Sequence, residues 1–293
     1  MTGSCVPVPK RTSTLLEGTY SWVVQVPAGD VVNHYEAHHE EDRLSKGPGQ
    51  IELARAKEVL RRHLPPPPAD VLDVGGGTGV HAAWLAADGY HVRLIDLSPR
   101  HVAKAKGDLG GLGVVAELGD ARKLAAADTS YDVVLVFGPL YHLTEREDRL
   151  EALREAARVA RPGAVVAVAG LSRFASLFDG LSRGFLFDPQ FRSIVARDLH
   201  DGQHRNPDER PGWWTTAFFH HPDQLREEVA EAGLVVTELV GLEGLAFWLP
   251  GIAARLEDTD DREVVLWSAR VTESEPALAG LSAHLLVVAT RPT

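Results

Sequence analysis

The stretch that decides the fold is Val71-Leu72-Asp73-Val74-Gly75-Gly76-Gly77-Thr78-Gly79. Its first four residues predict a buried strand, and the glycines that follow predict a tight turn that opens a helix. Because glycine has no Cβ, a ligand can approach this backbone closely, and the first turn of the helix offers unpaired N–H groups. The stretch therefore predicts a ligand-binding turn at the carboxyl end of a strand.

From residue 69 onward, short apolar runs alternate with segments of helical spacing. Candidate strands are residues 71–74, 90–95, 114–118, 133–137, 164–169, 234–239 and 284–290. Candidate helices are residues 80–88, 99–107, 144–160, 222–232 and about 261–272, and the third is predicted to begin with a capping box of Thr144 and Glu147. The alternation predicts a doubly wound α/β fold, with a mostly parallel sheet covered on both faces.

Two breaks in this rhythm divide the chain into three parts. Residues 1–68 are predicted to be a leader with two helices within residues 33–64, closed by four consecutive prolines. Residues 69–171 and 222–293 form the predicted core. Residues 172–221 carry prolines, turns and paired aromatic residues. An insertion of this length after the fifth strand predicts a cap over the edge where open α/β sheets bind ligands.

Composition narrows the class of protein. The 293 residues are 44% hydrophobic and 24% charged, with a net charge of −11, which predicts a soluble protein that repels nucleic acid. Cys5 is the single cysteine, so a disulfide framework and a multi-cysteine zinc site are excluded. No signal peptide or membrane span is apparent, and we expect a cytoplasmic protein without a membrane partner. A homo-oligomer remains open.

Two acidic residues follow the next strands. Asp96 ends the second strand about 20 residues after the first glycine, where a carboxylate can bind ribose hydroxyls. Asp120 follows the third strand, where a side chain can meet an adenine edge. Each could alone be an ordinary helix cap. A dinucleotide fingerprint would place glycine or alanine where this chain has Val80, so a nicotinamide-dependent oxidoreductase is the less favoured alternative.

Several motifs in order resemble class I S-adenosylmethionine-dependent methyltransferases. They are the glycine stretch, Leu94-Ile95-Asp96-Leu97-Ser98, Gly119-Asp120-Ala121, Tyr131-Asp132-Val133-Val134 with Phe137-Gly138-Pro139-Leu140-Tyr141-His142-Leu143, and Arg161-Pro162-Gly163-Ala164. The resemblance implies a seven-stranded Rossmann-like sheet whose last two strands form an antiparallel pair. It also implies S-adenosyl-L-methionine as cofactor and S-adenosyl-L-homocysteine as product. A non-catalytic subunit that binds this cofactor is the other alternative.

The same resemblance implies which residues hold the cofactor. In the core they are Asp73, Gly75, Gly77, Asp96, Leu97, Asp120, Ala121 and Phe137, of which Phe137 would line the sulfonium site. From the N-terminal helices, Tyr35 and Arg43 resemble an aromatic residue and an arginine that close over the methionine end. An ordinary amphipathic helix surface would explain those two residues equally simply.

The methyl acceptor is predicted to be a small molecule, in keeping with bacterial enzymes of secondary metabolism. His142 follows the fourth strand and is the leading candidate for a general base or anchor, with His204 and His221 of the insertion next. A histidine at a helix start that only bonds backbone or solvent is the alternative. Trp213, Trp214 and Phe218 are candidate acceptor contacts, although such aromatic residues more often form a cap's core.

Other reaction classes lose support at the end of the fourth strand. Enzymes that methylate exocyclic nucleobase amines carry Asn or Asp, Pro-Pro and an aromatic residue there, where this chain has Phe137-Gly138-Pro139-Leu140. Residues 137–143 offer no carboxylate for a catechol-type magnesium site. The run His220-His221-Pro222-Asp223 is better explained as a turn before a helix than as an iron site. No metal is predicted.

Overall fold

The computed structural model describes residues 43–293, and a nine-stranded sheet organises that range. The strands are β1 Asp70–Val74, β2 His91–Asp96, β3 Val115–Leu118, β4 Tyr131–Val136, β5 Ala160–Ser172, β6 Gln203–His204, β7 Ala217–His220, β8 Val235–Gly241 and β9 His284–Thr290. Within the main sheet the order is β3-β2-β1-β4-β5-β9-β8. Strands β1 to β5 are parallel, and β9 is antiparallel to both β5 and β8. The predicted doubly wound α/β fold and its antiparallel edge pair are confirmed.

Helices cover both faces of this sheet. They are α1 Gly49–His63, α2 Val80–Ala87, α3 Pro99–Leu109, α4 Pro139–His142, α5 Arg146–Val159, α6 Ala175–Arg183, α7 Pro189–Asp201, α8 Pro222–Glu231, α9 Ile252–Arg255 and α10 Thr259–Arg270. The first three pack on one face and α5 with α8 on the other, each through buried Ala, Val and Leu side chains. None of the helices within residues 43–293 combines the length and apolar character that crossing a bilayer requires.

The predicted core strands agree closely with those of the structure, because they are short runs of residues that are apolar on both faces of the sheet. All of Val133, Val134, Leu135 and Val136 are buried, as in a strand covered from both sides. The capping box predicted at Thr144 is wrong. The cap position of α5 is Glu145 without a side-chain bond, because the buried guanidinium of Arg149 takes the Thr144 carbonyl at 2.9 Å and keeps this segment outside the helix.

The segment between β5 and α8 adds the short antiparallel pair β6 and β7 and the helices α6 and α7. Leu171 of β5 pairs with both Phe219 of β7 and His284 of β9, so β7 lies on the β4 side of β5. Because β4 ends at Val136 opposite Val168, β7 lies just beyond the carboxyl end of β4. The insertion therefore begins directly above the edge where the parallel strands end.

Candidate active site

The glycine turn after β1 has the backbone that its sequence predicts. Gly75, Gly77 and Gly79 have φ angles of +74°, +57° and +90°, in the region that favours glycine. A Cβ on Gly75 would lie 2.4 Å from Pro139 Cδ, and one on Gly79 would lie 2.3 Å from Leu109 Cδ1. A Cβ on Gly77 would meet nothing within 4 Å. The lack of a Cβ at Gly75 and Gly79 thus allows Pro139 and Leu109 to pack against the turn, whereas Gly77 borders open space.

Asp96 joins this turn to the end of β2. Its Oδ2 accepts a 2.9 Å hydrogen bond from Gly77 N, and its Oδ1 accepts one from Ser98 N at 2.9 Å. His101 Nδ1 is 3.2 Å from the same Oδ1. Half-buried Leu97 follows Asp96 directly. The carboxylate is therefore fixed beside the open Gly77, as a ribose-binding residue would require.

Asp73 lies beneath the turn with a fully buried carboxyl group. Neither of its oxygens has a hydrogen-bond partner among residues 43–293. Burial, followed by the nearby charge of Asp96, raises the pKa of Asp73 from 3.8 to about 7. A buried carboxyl group without a partner is costly, and such groups concentrate at functional sites.

Asp120 and Ala121 follow β3 at the same edge, where Gly119 N donates to Asp96 O at 3.0 Å. Arg122 donates to both carboxylate oxygens of Asp120, at 2.7 Å from Nη2 and 3.1 Å from Nε. Burial opposes ionisation, but these hydrogen bonds from Arg122 hold the pKa of Asp120 below its usual value. The predicted adenine contact thus carries a negative charge that Arg122 orients.

Phe137 completes the edge after β4. Its N donates to Val74 O at 3.3 Å, which places the half-buried ring beside the glycine turn. The ring of His81 packs edge-on against Phe137 with 4.9 Å between centroids. Burial lowers the pKa of His81 to about 4, so this ring is neutral at pH 7. The residues predicted for the core part of the cofactor site therefore all lie at the carboxyl ends of β1 to β4.

Tyr35 and Arg43 are the two cofactor contacts predicted from the N-terminal helices. Tyr35 lies outside the described residues. The guanidinium of Arg43 contacts both carboxylate oxygens of Glu52 on α1. Burial tends to raise the pKa of Glu52, but the positive charges of Arg43 and then His284 lower it below its usual value. Arg43, itself exposed, therefore pairs with the buried carboxylate of Glu52, and its contact with the cofactor stays a prediction.

The three histidines predicted for catalysis lie in different surroundings. His142, the last residue of α4, is half-buried with Nδ1 3.4 Å from the Thr216 carbonyl oxygen. His221 is exposed at the N-cap position of α8, where its side chain forms no capping hydrogen bond, and its catalytic role stays a prediction. His204 is fully buried, with Nδ1 2.7 Å from Asp198 Oδ2 and Nε2 2.8 Å from the Trp213 carbonyl oxygen. Because both of its ring nitrogens are bonded inside the cap, the catalytic role predicted for His204 is wrong.

The three aromatic residues predicted to contact the acceptor also separate. Trp213 is buried among Phe191, Ile194 and Val195 in the core of the cap. Phe218 is buried, and the guanidinium of Arg149 lies 3.5 Å from its ring centroid. The burial of Trp213 matches the alternative of a cap core, and buried Phe218 is covered by the Arg149 guanidinium, so the surroundings of these two rings do not favour the predicted acceptor contacts. Trp214 remains half-buried, with Nε1 3.1 Å from Asp179 Oδ2.

Sequence reasoning missed an aromatic cluster that borders this edge. Its half-buried members are Tyr141, Phe178, Trp214 and Phe247, packed around Phe219 and Trp248. They come from α4, α6, the insertion and the segment after β8. No local spacing in the sequence joins these four segments, so only the fold brings the rings together.

A buried ionic cluster adjoins these rings and was also missed. Glu52 of α1, Glu243 after β8 and His284 of β9 place their ligand atoms within 4.8 Å of one another. His284 contacts the rings of Tyr141 and Phe247, each with 6.0 Å between centroids. Because β9 begins where β5 ends, this cluster lies at the same edge of the sheet as the glycine turn, the edge formed by the carboxyl ends of the parallel strands.

Comparison with known proteins decides the family. Residues 71–163 match the model of a methyltransferase domain. A ubiquinone biosynthesis O-methyltransferase of Nitrosospira multiformis is 30% identical over 62% of this chain and 70% of its own length. This chain belongs to the class I S-adenosylmethionine-dependent methyltransferases.

Other relatives of this methyltransferase match over less of their length. A demethylmenaquinone methyltransferase of Beutenbergia cavernae is 40% identical over 49% of this chain and 55% of its own. Across the first curated relatives, the chain spans about 37% to 55% of their length. A methyltransferase structure from Mesorhizobium loti, 17% identical, aligns with a TM-score of 0.57 over 82% of this chain and all of that one, and this likeness concerns the fold alone.

The residues of this methyltransferase fit the cofactor of its family, S-adenosylmethionine. Gly77 leaves room at the turn that any side chain would fill, and Asp96 is fixed beside it. The Asp73 carboxyl group, which has no hydrogen-bond partner in the described range, lies under the turn, where a Cβ on Gly76 would be 2.7 Å from its Oδ2. When bound, the cofactor supplies a methyl group on a positively charged sulfur.

Proposed function

We propose that this methyltransferase transfers a methyl group to a small, partly apolar acceptor bound between Phe137 and the aromatic cluster. The observation that carries the proposal is the position of that cluster. Tyr141 belongs to α4, three residues beyond the glycine that follows Phe137, and contacts the cap through the same cluster as Trp214. Cofactor site and aromatic rings therefore share one edge of the sheet.

Different residues of this edge bind the cofactor and the acceptor. In this proposal the glycine turn flanks the methionine part of the cofactor, Asp96 binds its ribose, and Asp120 faces its base. Half-buried rings exclude water and hold an apolar acceptor in one orientation, and alignment of this kind accounts for much of a displacement at carbon. His142 and Trp214 stay proposed acceptor contacts.

Charge and relatives support the acceptor class. The net charge of −11 disfavours a polyanionic acceptor such as nucleic acid. Relatives include a 27-O-demethylrifamycin SV methyltransferase of Amycolatopsis mediterranei and a methyltransferase named GfsG of Streptomyces halstedii. By analogy with the first, the proposed acceptor is a secondary metabolite, handled in the cytoplasm.

The test is transfer of an isotopically labelled methyl group from S-adenosylmethionine to a panel of small phenols, amines and carboxylic acids. Labelled product with at least one member, and its loss in Trp214→Ala at unchanged adenosylhomocysteine affinity, supports the proposal. Cofactor binding without transfer to any member would favour the non-catalytic subunit instead.

A further inference from the structure

The ionic cluster beside the aromatic rings has a defined pattern of hydrogen bonds. His284 Nδ1 donates to Glu243 Oε1 at 2.5 Å, and its backbone N donates to Glu243 Oε2 at 3.1 Å. Ser282 Oγ also donates to Glu243 Oε2. The Glu243 carboxylate is thereby fixed by three donors, and it holds the His284 proton on Nδ1.

The other ring nitrogen of His284 is available for chemistry. Nε2 has no hydrogen-bond partner among residues 43–293, yet it is not among the fully buried unpartnered atoms of that range, so it borders accessible space. The ring touches Tyr141 and Phe247, whose half-buried rings line the proposed acceptor site. A histidine with one nitrogen oriented by a carboxylate and the other facing the substrate is the arrangement of a general base.

Charged groups from several elements face His284. Glu52 of α1 lies with Oε2 3.4 Å from Nδ1, Glu243 follows β8, and Arg43 precedes α1. Tyr141 of α4 lies at the ring, and His81 of α2 acts on Glu52. Burial opposes the imidazolium, but Glu52 and Glu243 together outweigh it and raise the pKa of His284. A base of increased strength results, with two carboxylates to stabilise the proton it gains.

We infer that His284 Nε2 accepts the proton of a hydroxyl group on the methyl acceptor, with Glu243 as its positioning residue. This inference rests on the proposed function. The acceptor O–H bond breaks and its proton joins Nε2, the oxygen lone pair forms the bond to the methyl carbon, and the electron pair of the broken carbon–sulfur bond remains on sulfur. The positive charge thus passes from the sulfonium to the imidazolium, between Glu52 and Glu243.

A divalent cation is the competing use of two glutamates and a histidine. The donors argue against it, because Glu243 accepts from Ser282 and from two His284 atoms, while Arg43 takes both oxygens of Glu52. Both carboxylates are thus already engaged by N–H or O–H donors, and Arg43 supplies a positive charge beside Glu52, which disfavours a further cation. A proton on His284 is therefore the better-supported use of the cluster.

The first test follows the imidazole itself, by nitrogen-15 NMR of histidine-labelled protein. We expect a neutral His284 protonated on Nδ1, titrating above the pKa of an exposed histidine, and a lower pKa in Glu243→Gln. The matched control is His63→Gln, because His63 Nε2 forms a 2.7 Å pair with Glu238 between α1 and β8, away from the aromatic cluster. A His284 protonated on Nε2 when neutral, or a pKa unchanged in Glu243→Gln, would overturn the assignment.

The second test uses para-nitrophenol, whose neutral and ionised forms absorb at different wavelengths. In the wild-type protein and His63→Gln, with adenosylhomocysteine bound, we expect the phenolate fraction to exceed that in free solution at the same pH. In His284→Gln the excess should vanish while adenosylhomocysteine affinity is retained. No excess in a wild-type protein that binds adenosylhomocysteine contradicts the inference, whereas failure to bind adenosylhomocysteine contradicts the proposed function itself.

Once an acceptor is known from the methyl-transfer panel, kinetics supply a third readout. His284→Gln should lower kcat by about 10²- to 10⁴-fold for a hydroxyl acceptor, the usual contribution of a general base. The wild-type rate should rise with pH through the His284 pKa seen by NMR. An unaltered kcat in His284→Gln would remove the catalytic role.

Discussion

Asp73 is the residue whose ionisation most directly links the cofactor edge to stability. Within the part of the chain that the structure describes, its carboxyl group has no hydrogen-bond partner, and burial raises its pKa from 3.8 to about 7. The folded protein therefore holds a proton that the unfolded chain releases between about pH 4 and pH 7. The favourable contribution is present below pH 4 and is lost as pH rises through 7.

Asp73→Asn should remove this pH dependence in the cofactor-free protein. We expect the variant to gain stability relative to wild type as pH rises from about 4 to 8, by at most about 4 kcal/mol because one pKa unit corresponds to about 1.4 kcal/mol. Urea denaturation at several pH values measures the difference. A constant difference across this range would show that Asp73 ionises normally.

At the scale of elements, a buried ion pair ties the β4 loop to the second face of the sheet. Arg149 of α5 bonds Glu228 of α8 at 2.7 and 2.9 Å, and its Nη1 donates to the carbonyl oxygens of Leu143 and Thr144. Burial alone would raise the pKa of Glu228, but its hydrogen bonds with Arg149 and then His220 lower that pKa to about 2. The pair thereby orders the segment that carries His142.

Arg149→Met should destabilise the protein by about 3–5 kcal/mol, because Glu228 would be left buried and uncompensated. Part of the loss should return in the double variant with Glu228→Met, as measured by urea denaturation. Since the folded pKa of Glu228 is depressed, its contribution in wild type is present above about pH 4.5 and falls as pH drops toward 2. Equal stability of Arg149→Met and wild type would contradict this account.

The cap offers a comparison of neighbouring tryptophans. Trp213 fills the cap core, so Trp213→Ala should cost about 3–5 kcal/mol in unfolding free energy and leave adenosylhomocysteine affinity unchanged. Trp214 is half-buried at the aromatic cluster, so Trp214→Ala should cost less and raise the acceptor KM. Thermal denaturation and steady-state kinetics separate the two. The reverse assignment would follow if Trp213→Ala alone changed the acceptor KM.

At the scale of the whole molecule, the sequence predicts those features that depend on neighbouring residues, namely the core strands and the turns that follow them. The strands of the core are apolar on both faces, and the glycine turn, Asp96 and Asp120 follow strands whose carboxyl ends share one edge. Chain order alone therefore predicts that these residues lie together at one edge of the sheet, as they do, while their contacts with the cofactor stay a prediction. Glu52, Glu243 and His284 are widely separated along the sequence, and only the antiparallel return of β9 brings them together. Trp213 and Trp214 are adjacent, so sequence could not show which of them lies inside the cap.

The central claim is that the edge formed by the glycine turn and Asp96 binds the methyl-donor cofactor. Calorimetric titration with adenosylhomocysteine tests it most directly, on wild type, Asp96→Asn and the control Asp108→Asn. The exposed Asp108 carboxylate lies on the same helix as His101 and pairs with Lys104 at 2.8 Å. We expect micromolar binding to wild type and the control, and about 10- to 100-fold weaker binding to Asp96→Asn, the scale of a lost charged hydrogen bond. Equal affinity in all three proteins, or no binding to any, would contradict the account.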